Sequence, residues 1–149
     1  MSLSSKGLDF IKKYEKLRLK SYRDQAGYLT IGYGHKISPG EDFSGGITKD
    51  EALNLLKHDV QGAVNAVNAS LGVPLKQNQF DALVSLAFNA GPVSVKATNQ
   101  MMRAVNAGHV TQENFTAYRF VHVNGQVVVS QGLLRRREDE YLMYSEGKY

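Results

Sequence analysis

The chain has 149 residues, 42% hydrophobic and 21% charged, which suits one folded domain with room for two lobes, and excludes disorder. It contains no cysteine, so disulfides, thiolate metal sites and cysteine nucleophiles are excluded. A net charge of +4 and a pI near 9.3 favour an anionic partner. The bases are scattered, however, apart from Arg135-Arg136-Arg137, which Glu138, Asp139 and Glu140 follow at once, so dedicated nucleic-acid binding is not expected.

No apolar run nears the roughly 18 residues of a membrane span. Met1 to Lys20 carries charges throughout and lacks the apolar core of a signal peptide. The expectation is a protein made in the cytosol, without stable membrane insertion.

Ser4 and Ser5 predict the cap of a helix over 5–15. At 100° per residue, Leu8, Phe10, Ile11, Tyr14 and Glu15 share one arc, and Lys6, Asp9, Lys12 and Lys13 the other. Glu15 therefore lies on the apolar side, where lost hydration should raise its pKa. From Leu17 the period changes to two. Leu17, Leu19 and Ser21 alternate with Arg18, Lys20 and Tyr22, and later Leu29, Ile31 and Tyr33 with Thr30, Gly32 and Gly34. With a turn over 25–29, Asp24 falls directly opposite Thr30, on a face shared with Gly32 and Gly34. A polar, glycine-rich loop follows, with a short third strand expected near Asp42–Ser44.

Thr48-Lys-Asp-Glu51 reads as a capping box opening a helix that runs to about Ser70, a length suited to joining a small β lobe to a helical one. Residues 77–90 are apolar on nearly every side, which predicts a central buried helix ended by Gly91-Pro92. A helix over 95–107 and a short one near 111–118 follow. Phe120 to Val129 has Asn124-Gly125 between β-branched runs, a strong hairpin signal. In a last helix over 133–145, Arg137 shares the apolar arc with Leu134, Tyr141 and Tyr144. Arg137 should point inward and need a carboxylate partner, whereas Arg135 and Arg136 read as a solvated face.

Two carboxyl groups in unlike surroundings, Glu15 beside apolar residues and Asp24 at a strand end, suit glycoside hydrolysis: one protonates the leaving oxygen and the other handles water or attacks the sugar. Thr30 could hold a water through its hydroxyl. Glu15, Asp24 and Thr30-Ile-Gly-Tyr-Gly-His35 resemble the motif of the phage-type lysozymes, the endolysin family of T-even and lambdoid phage muramidases. The resemblance continues through Ile47-Thr-Lys-Asp-Glu-Ala52, Val73 to Leu83, Ala87-Phe-Asn-Ala-Gly91 and Gly132 to Arg137, covering nearly the whole chain.

What the resemblance implies is an α+β phage-type lysozyme fold. A small N-terminal β-hairpin lobe (about 16–47) and a larger mainly helical lobe (about 72–149, with the 5–15 helix) are joined by a long helix over 48–70, with a cleft between them. It implies that Glu15 is the general acid and that Asp24 and Thr30 position and activate water. It further implies that His35 pairs with Asp59, that Phe88, Gln100 and Asn114 bind substrate, and that an arginine of the C-terminal cluster, Arg137 by its phase, pairs with the catalytic Glu. The expected reaction is inverting hydrolysis of the β-1,4 bond between N-acetylmuramic acid and N-acetylglucosamine in bacterial peptidoglycan. The enzyme is expected to be a monomer without cofactor or metal, delivered to the wall by a holin or another export route. The alternatives are a non-hydrolytic wall-binding or phage structural domain and a lysozyme toxin used between bacteria. The chain departs from the family at Lys16, where a glycine is usual, and at Phe120–Val129, which is more β-like than the usual loop.

Overall fold

A computed structural model describes all 149 residues, which form two compact units. One unit is Ile11–Gln61; the other combines Met1–Phe10 with Gly62–Tyr149. Helices α1 (Ser5–Glu15) and α2 (Lys49–Ser70) each run from one unit into the other.

In the smaller unit, α1 ends at Glu15 and the chain turns through Lys16, which sits at φ 47°. This is the left-handed region that a side chain disfavours. Strands β1 (Arg18–Arg23), β2 (Leu29–Gly32) and β3 (His35–Lys36) then form an antiparallel sheet in that order. The third strand therefore lies at His35–Lys36 and not near Asp42–Ser44. Tyr33-Gly34, with Gly34 at φ 78°, makes a tight turn that ends β2 at Gly32 and brings the chain straight back. The expected Asp42–Ser44 strand is instead a turn in which Asp42 Oδ1 accepts from the Ser44 N–H at 3.0 Å.

The β1–β2 register also differs from the expected one. Tyr22, not Asp24, is opposite Thr30, and Arg23 is opposite Leu29. The loop is shorter than the alternation suggested. Asp24 N–H donates to the Tyr28 carbonyl at 2.9 Å, and Gly27 N–H to the Asp24 carbonyl at 2.9 Å. The Asp24 side chain tightens the turn further by accepting from Ala26 and Tyr28 N–H at 3.0 and 2.8 Å. Alternation keeps Asp24 and Thr30 on one face, at a diagonal spacing of roughly 7 Å between Cβ atoms. The sheet packs Ile31, Tyr33 and Ile47 inward. At the start of α2, Thr48 and Glu51 form the expected capping box, with reciprocal bonds of 3.1 Å.

The larger unit is built on α3 (Gln77–Ala90), whose Phe80, Ala82, Leu83, Val84, Leu86 and Ala87 are all buried. Such a helix has no solvent face, and α6 (Gln131–Glu146) packs against it. The expected single helix over 95–107 is two elements, a 3-10 turn at Pro92–Val95 and α4 (Gln100–Ala107). Asn99 divides them: its Oδ1 accepts from Gln100 N–H at 2.8 Å while its amide donates to the Val93 carbonyl at 2.8 Å. A short side chain that bonds its own backbone favours a cap over a helix interior. After α5 (Gln112–Thr116), strands β4 (Phe120–Val123) and β5 (Gln126–Val129) pair antiparallel around Asn124-Gly125, both at positive φ, as the Asn-Gly pair predicts. No helix is long and apolar enough to cross a membrane.

Candidate active site

The three expected catalytic residues, Glu15, Asp24 and Thr30, lie in the smaller unit and owe their positions to neighbouring backbone. Glu15 is half-buried at the last turn of α1, on the side that also buries Ile11. Its Oε2 sits 3.0 Å from where a Cβ would stand on Gly34, so the β2–β3 turn passes directly beneath the carboxyl group. Gly34 combines a positive φ with this close approach, and a Cβ there would press the carboxylate aside by a few tenths of an ångström. The Thr-Ile-Gly-Tyr-Gly-His motif thus seats Glu15 as well as carrying Thr30.

Asp24 is held by two N–H donors on Oδ1, leaving Oδ2 without a protein partner. Thr30 is only 2% exposed, and its hydroxyl donates to the Tyr28 carbonyl at 2.9 Å. With its proton so directed, the hydroxyl oxygen presents lone pairs and acts as an acceptor. Asp24 Oδ2 and Thr30 Oγ1 are therefore two acceptors on one face of a hairpin.

His35 lies below this hairpin and pairs with Asp59 as expected, Nδ1 to Oδ2 at 2.7 Å. The other ring nitrogen meets Glu41 at 3.0 Å, a partner the sequence did not reveal. Glu41 also accepts from Ser38 N–H at 2.7 Å, so the histidine ties the 37–46 loop to α2. Burial alone would push the His35 pKa down; hydrogen bonds to Glu41 and Asp59, with their charges, outweigh it and raise it above 6.5. The Ser38 N–H and His35 hold the Glu41 carboxyl below its usual range.

In the larger unit Arg137 is fully buried, as its helical phase required, but Arg136, expected in solvent, is only 4% exposed. Both face Glu140, one turn on. Arg137 Nε stands 2.7 Å from Oε1 and Arg136 Nε 3.3 Å from Oε2, to which Ser85 Oγ donates at 2.6 Å. One helical turn can bury two guanidinium groups because both converge on a carboxylate of the same helix. Periodicity alone could not place Arg136, since Glu140 is fully buried too and reads as polar. Burial pushes the Glu140 pKa up, against the pull of Arg137 and Arg136.

Arg137 also donates to Asn89 Oδ1 at 2.8 Å, and these two border a hollow of about 470 Å³ with Tyr118, Phe120 and Leu133. Asn89 lies within the Ala87-Phe-Asn-Ala-Gly91 motif, and Tyr118 and Phe120 carry only secondary-structure signals in the sequence, with none that marks them as lining a hollow. Phe88 is half-buried near the end of α3 and Gln100 is exposed at the start of α4. Asn114 has a local duty, its Oδ1 accepting from Thr111 N–H at 2.8 Å to cap α5. None of these three lines the hollow.

A sequence profile described as phage lysozyme matches residues 12–140. The chain belongs to the phage lysozyme family. It is 36% identical over 148 residues to an endolysin of Acyrthosiphon pisum secondary endosymbiont phage 1, covering 97% of this chain and 98% of that one. Its structure matches an endolysin from Escherichia coli O157:H7 phage FAHEc1 with a TM-score of 0.93 and 40% identity, over 100% of this chain and 96% of the other. It also matches the muramidase domain of SpmX from Asticaccaulis excentricus, TM-score 0.85, 36% identity, over 97% of each chain. The fold is thus the α+β lysozyme fold, and the chain is a peptidoglycan-hydrolysing endolysin, a glycoside hydrolase of the muramidase type.

Proposed function

We propose that this enzyme cleaves the β-1,4 bond between N-acetylmuramic acid and N-acetylglucosamine with inversion, and that Glu15, Asp24 and Thr30 carry the chemistry. Glu15 donates its proton to the leaving glycosidic oxygen. Asp24 Oδ2 and Thr30 Oγ1 each accept a hydrogen from one water, which turns its remaining lone pair toward the anomeric carbon; Asp24 then takes the proton that the attack releases. The observation that carries this reading is the pair of acceptors on one hairpin face, each with its other bonding taken up by local backbone. His35 and Asp59 support the sheet that carries them. Phe88, Gln100, Asn114 and Arg137 act with substrate or in support of the acid, and the enzyme works as a monomer that reaches the wall by a separate export route such as a holin.

Glu15→Gln should remove the general acid and lower turbidity loss on permeabilised bacteria by about 10²-fold or more, with an unchanged circular dichroism spectrum. Full activity in that variant would remove Glu15 from the mechanism. Product analysis at first turnover tests stereochemistry: an α anomer is expected, and a β anomer overturns the inverting scheme.

A further inference from the structure

The main chain of one turn residue, Tyr28, holds both of the acceptors proposed to seat the attacking water. Tyr28 N–H donates to Asp24 Oδ1 at 2.8 Å. The Tyr28 carbonyl accepts from both Asp24 N–H and the Thr30 hydroxyl, each at 2.9 Å. The residue before it is Gly27, at φ 87°, with no atom within 4 Å of where a Cβ would stand. The Tyr28 ring is 56% exposed, so the core does not hold it. A glycine lets the peptide unit that follows it rotate at small cost. Such a rotation would turn the Tyr28 N–H away from Asp24.

Two side chains outside the catalytic set brace this residue. Arg23 Nη1 donates to the Gly27 carbonyl at 2.8 Å. That carbonyl and the Tyr28 N–H belong to one planar peptide unit, so Arg23 grips one end of the unit while Asp24 accepts from the other. A guanidinium makes the stronger, charge-assisted kind of hydrogen bond. By polarising the carbonyl it also makes the N–H of the same unit a better donor. The ring is braced from β3. Lys36 is opposite Thr30 in the β2–β3 ladder, which makes Tyr28 a diagonal neighbour within reach of a long side chain. The Lys36 ammonium stands 4.4 Å from the centre of the Tyr28 ring, close enough for the negative face of the ring to attract it.

We infer that Arg23 and Lys36 are positioning residues for the hydrolysis: through the peptide and the ring of Tyr28 they hold Asp24 and Thr30 in the orientation that seats the attacking water. This rests on the roles of Asp24 and Thr30 proposed above. Neither cation takes part in proton transfer.

The test compares kcat and KM on soluble, uncross-linked glycan strands for variants whose folding is checked by thermal melt. Arg23→Met removes the bond to Gly27 and should lower kcat about fivefold to tenfold with KM unchanged. Arg23→Lys keeps a charged donor for that single bond and should stay within about twofold of wild type. Lys36→Met and Tyr28→Leu should each lower kcat about threefold, with no further loss when combined, whereas Tyr28→Phe keeps the ring and should stay within about twofold of wild type. Added to Asp24→Ala, Arg23→Met should lower kcat no further, because its effect passes through Asp24. An unchanged kcat in Arg23→Met, a loss that appears in KM alone, or a full Arg23→Met effect in the Asp24→Ala background overturns the inference while leaving the hydrolase reading intact. Equal activity in wild type and Asp24→Ala overturns the proposed role of Asp24, and the inference with it.

Discussion

The two buried charge clusters of this molecule are built from similar parts and behave in opposite ways. In the larger unit, Arg136, Arg137, Ser85 and Glu140 are almost wholly withdrawn from water, and two guanidinium groups and a hydroxyl converge on one carboxylate. In the smaller unit, His35 is nearly buried, but Glu41 and Asp59 keep 31% and 23% of their side chains in solvent. The first cluster is a fixed joint of α6 on α3. The second is a clamp whose strength depends on pH, because histidine is the one member that changes charge near neutrality. Burial sets which kind a cluster becomes: a charge with no water nearby must be matched permanently, and one at the margin can be matched conditionally.

Removing one partner from each cluster should separate them most sharply. Glu140→Gln removes the carboxylate on which two buried guanidinium groups converge and should cost about 3–5 kcal/mol, read as a fall in the urea midpoint. If the loss were under about 1 kcal/mol, the network would be a passenger in the fold. Leu83→Ala, in α3 against which α6 packs, fully buried but uncharged, should cost about 2–5 kcal/mol and serves as the apolar reference for that core.

His35→Asn should cost less, and its cost should depend on pH through the charge on the imidazole. The folded-state pKa of His35 is raised from 6.5, so its share of stability is complete below about pH 6.5 and lost as pH rises through the raised value. Glu41 is lowered from 4.5, so its share is complete above about pH 4.5 and lost as pH falls through the lowered value. The difference in melting temperature between wild type and variant should therefore be widest between about pH 4.5 and 6.5 and shrink toward pH 9. Solvent screening limits it to about 1 kcal/mol, or about 2–4 °C. A difference that does not change between pH 5 and pH 9 would show that His35 acts by packing against Phe43, whose ring it meets edge-on at 6.0 Å, and not by charge.

The smallest effect is expected at Lys16, where the strain is in the backbone and no charge cluster is involved. Lys16→Gly should stabilise the fold by about 1 kcal/mol at all pH values, since glycine relieves the left-handed φ of 47°. A loss of stability would mean that contacts of the lysine side chain outweigh the strain in its backbone.

Much of this molecule was legible as sequence because the relevant physics is local. The bounds of α1 and α3, the Thr48/Glu51 box, the Asn124-Gly125 turn and the buried phase of Arg137 all follow from residues within one or two turns of one another. The His35–Asp59 pair, 24 residues apart, was legible only through family resemblance. The errors arose where a side chain competed for the backbone. Asp24 tightened a turn and shifted the hairpin register, and Asn99 split a helix. Arg136 and Glu41 were missed because a polar residue gives no periodic signal of the partner that will bury or bind it.

The sequence by itself determined α1, α2, α3 and α6 to within a residue or two, the β4–β5 hairpin and the kinds of residue the smaller unit would offer for acid–base chemistry. Only the tertiary structure decided that Gly34 runs beneath the Glu15 carboxyl, that Tyr22 rather than Asp24 stands opposite Thr30, and that the cations of β1 stand exposed. Composition and period specify which face of an element prefers water, but the distance between two side chains on separate elements depends on register and packing, and these are fixed only when the whole unit closes.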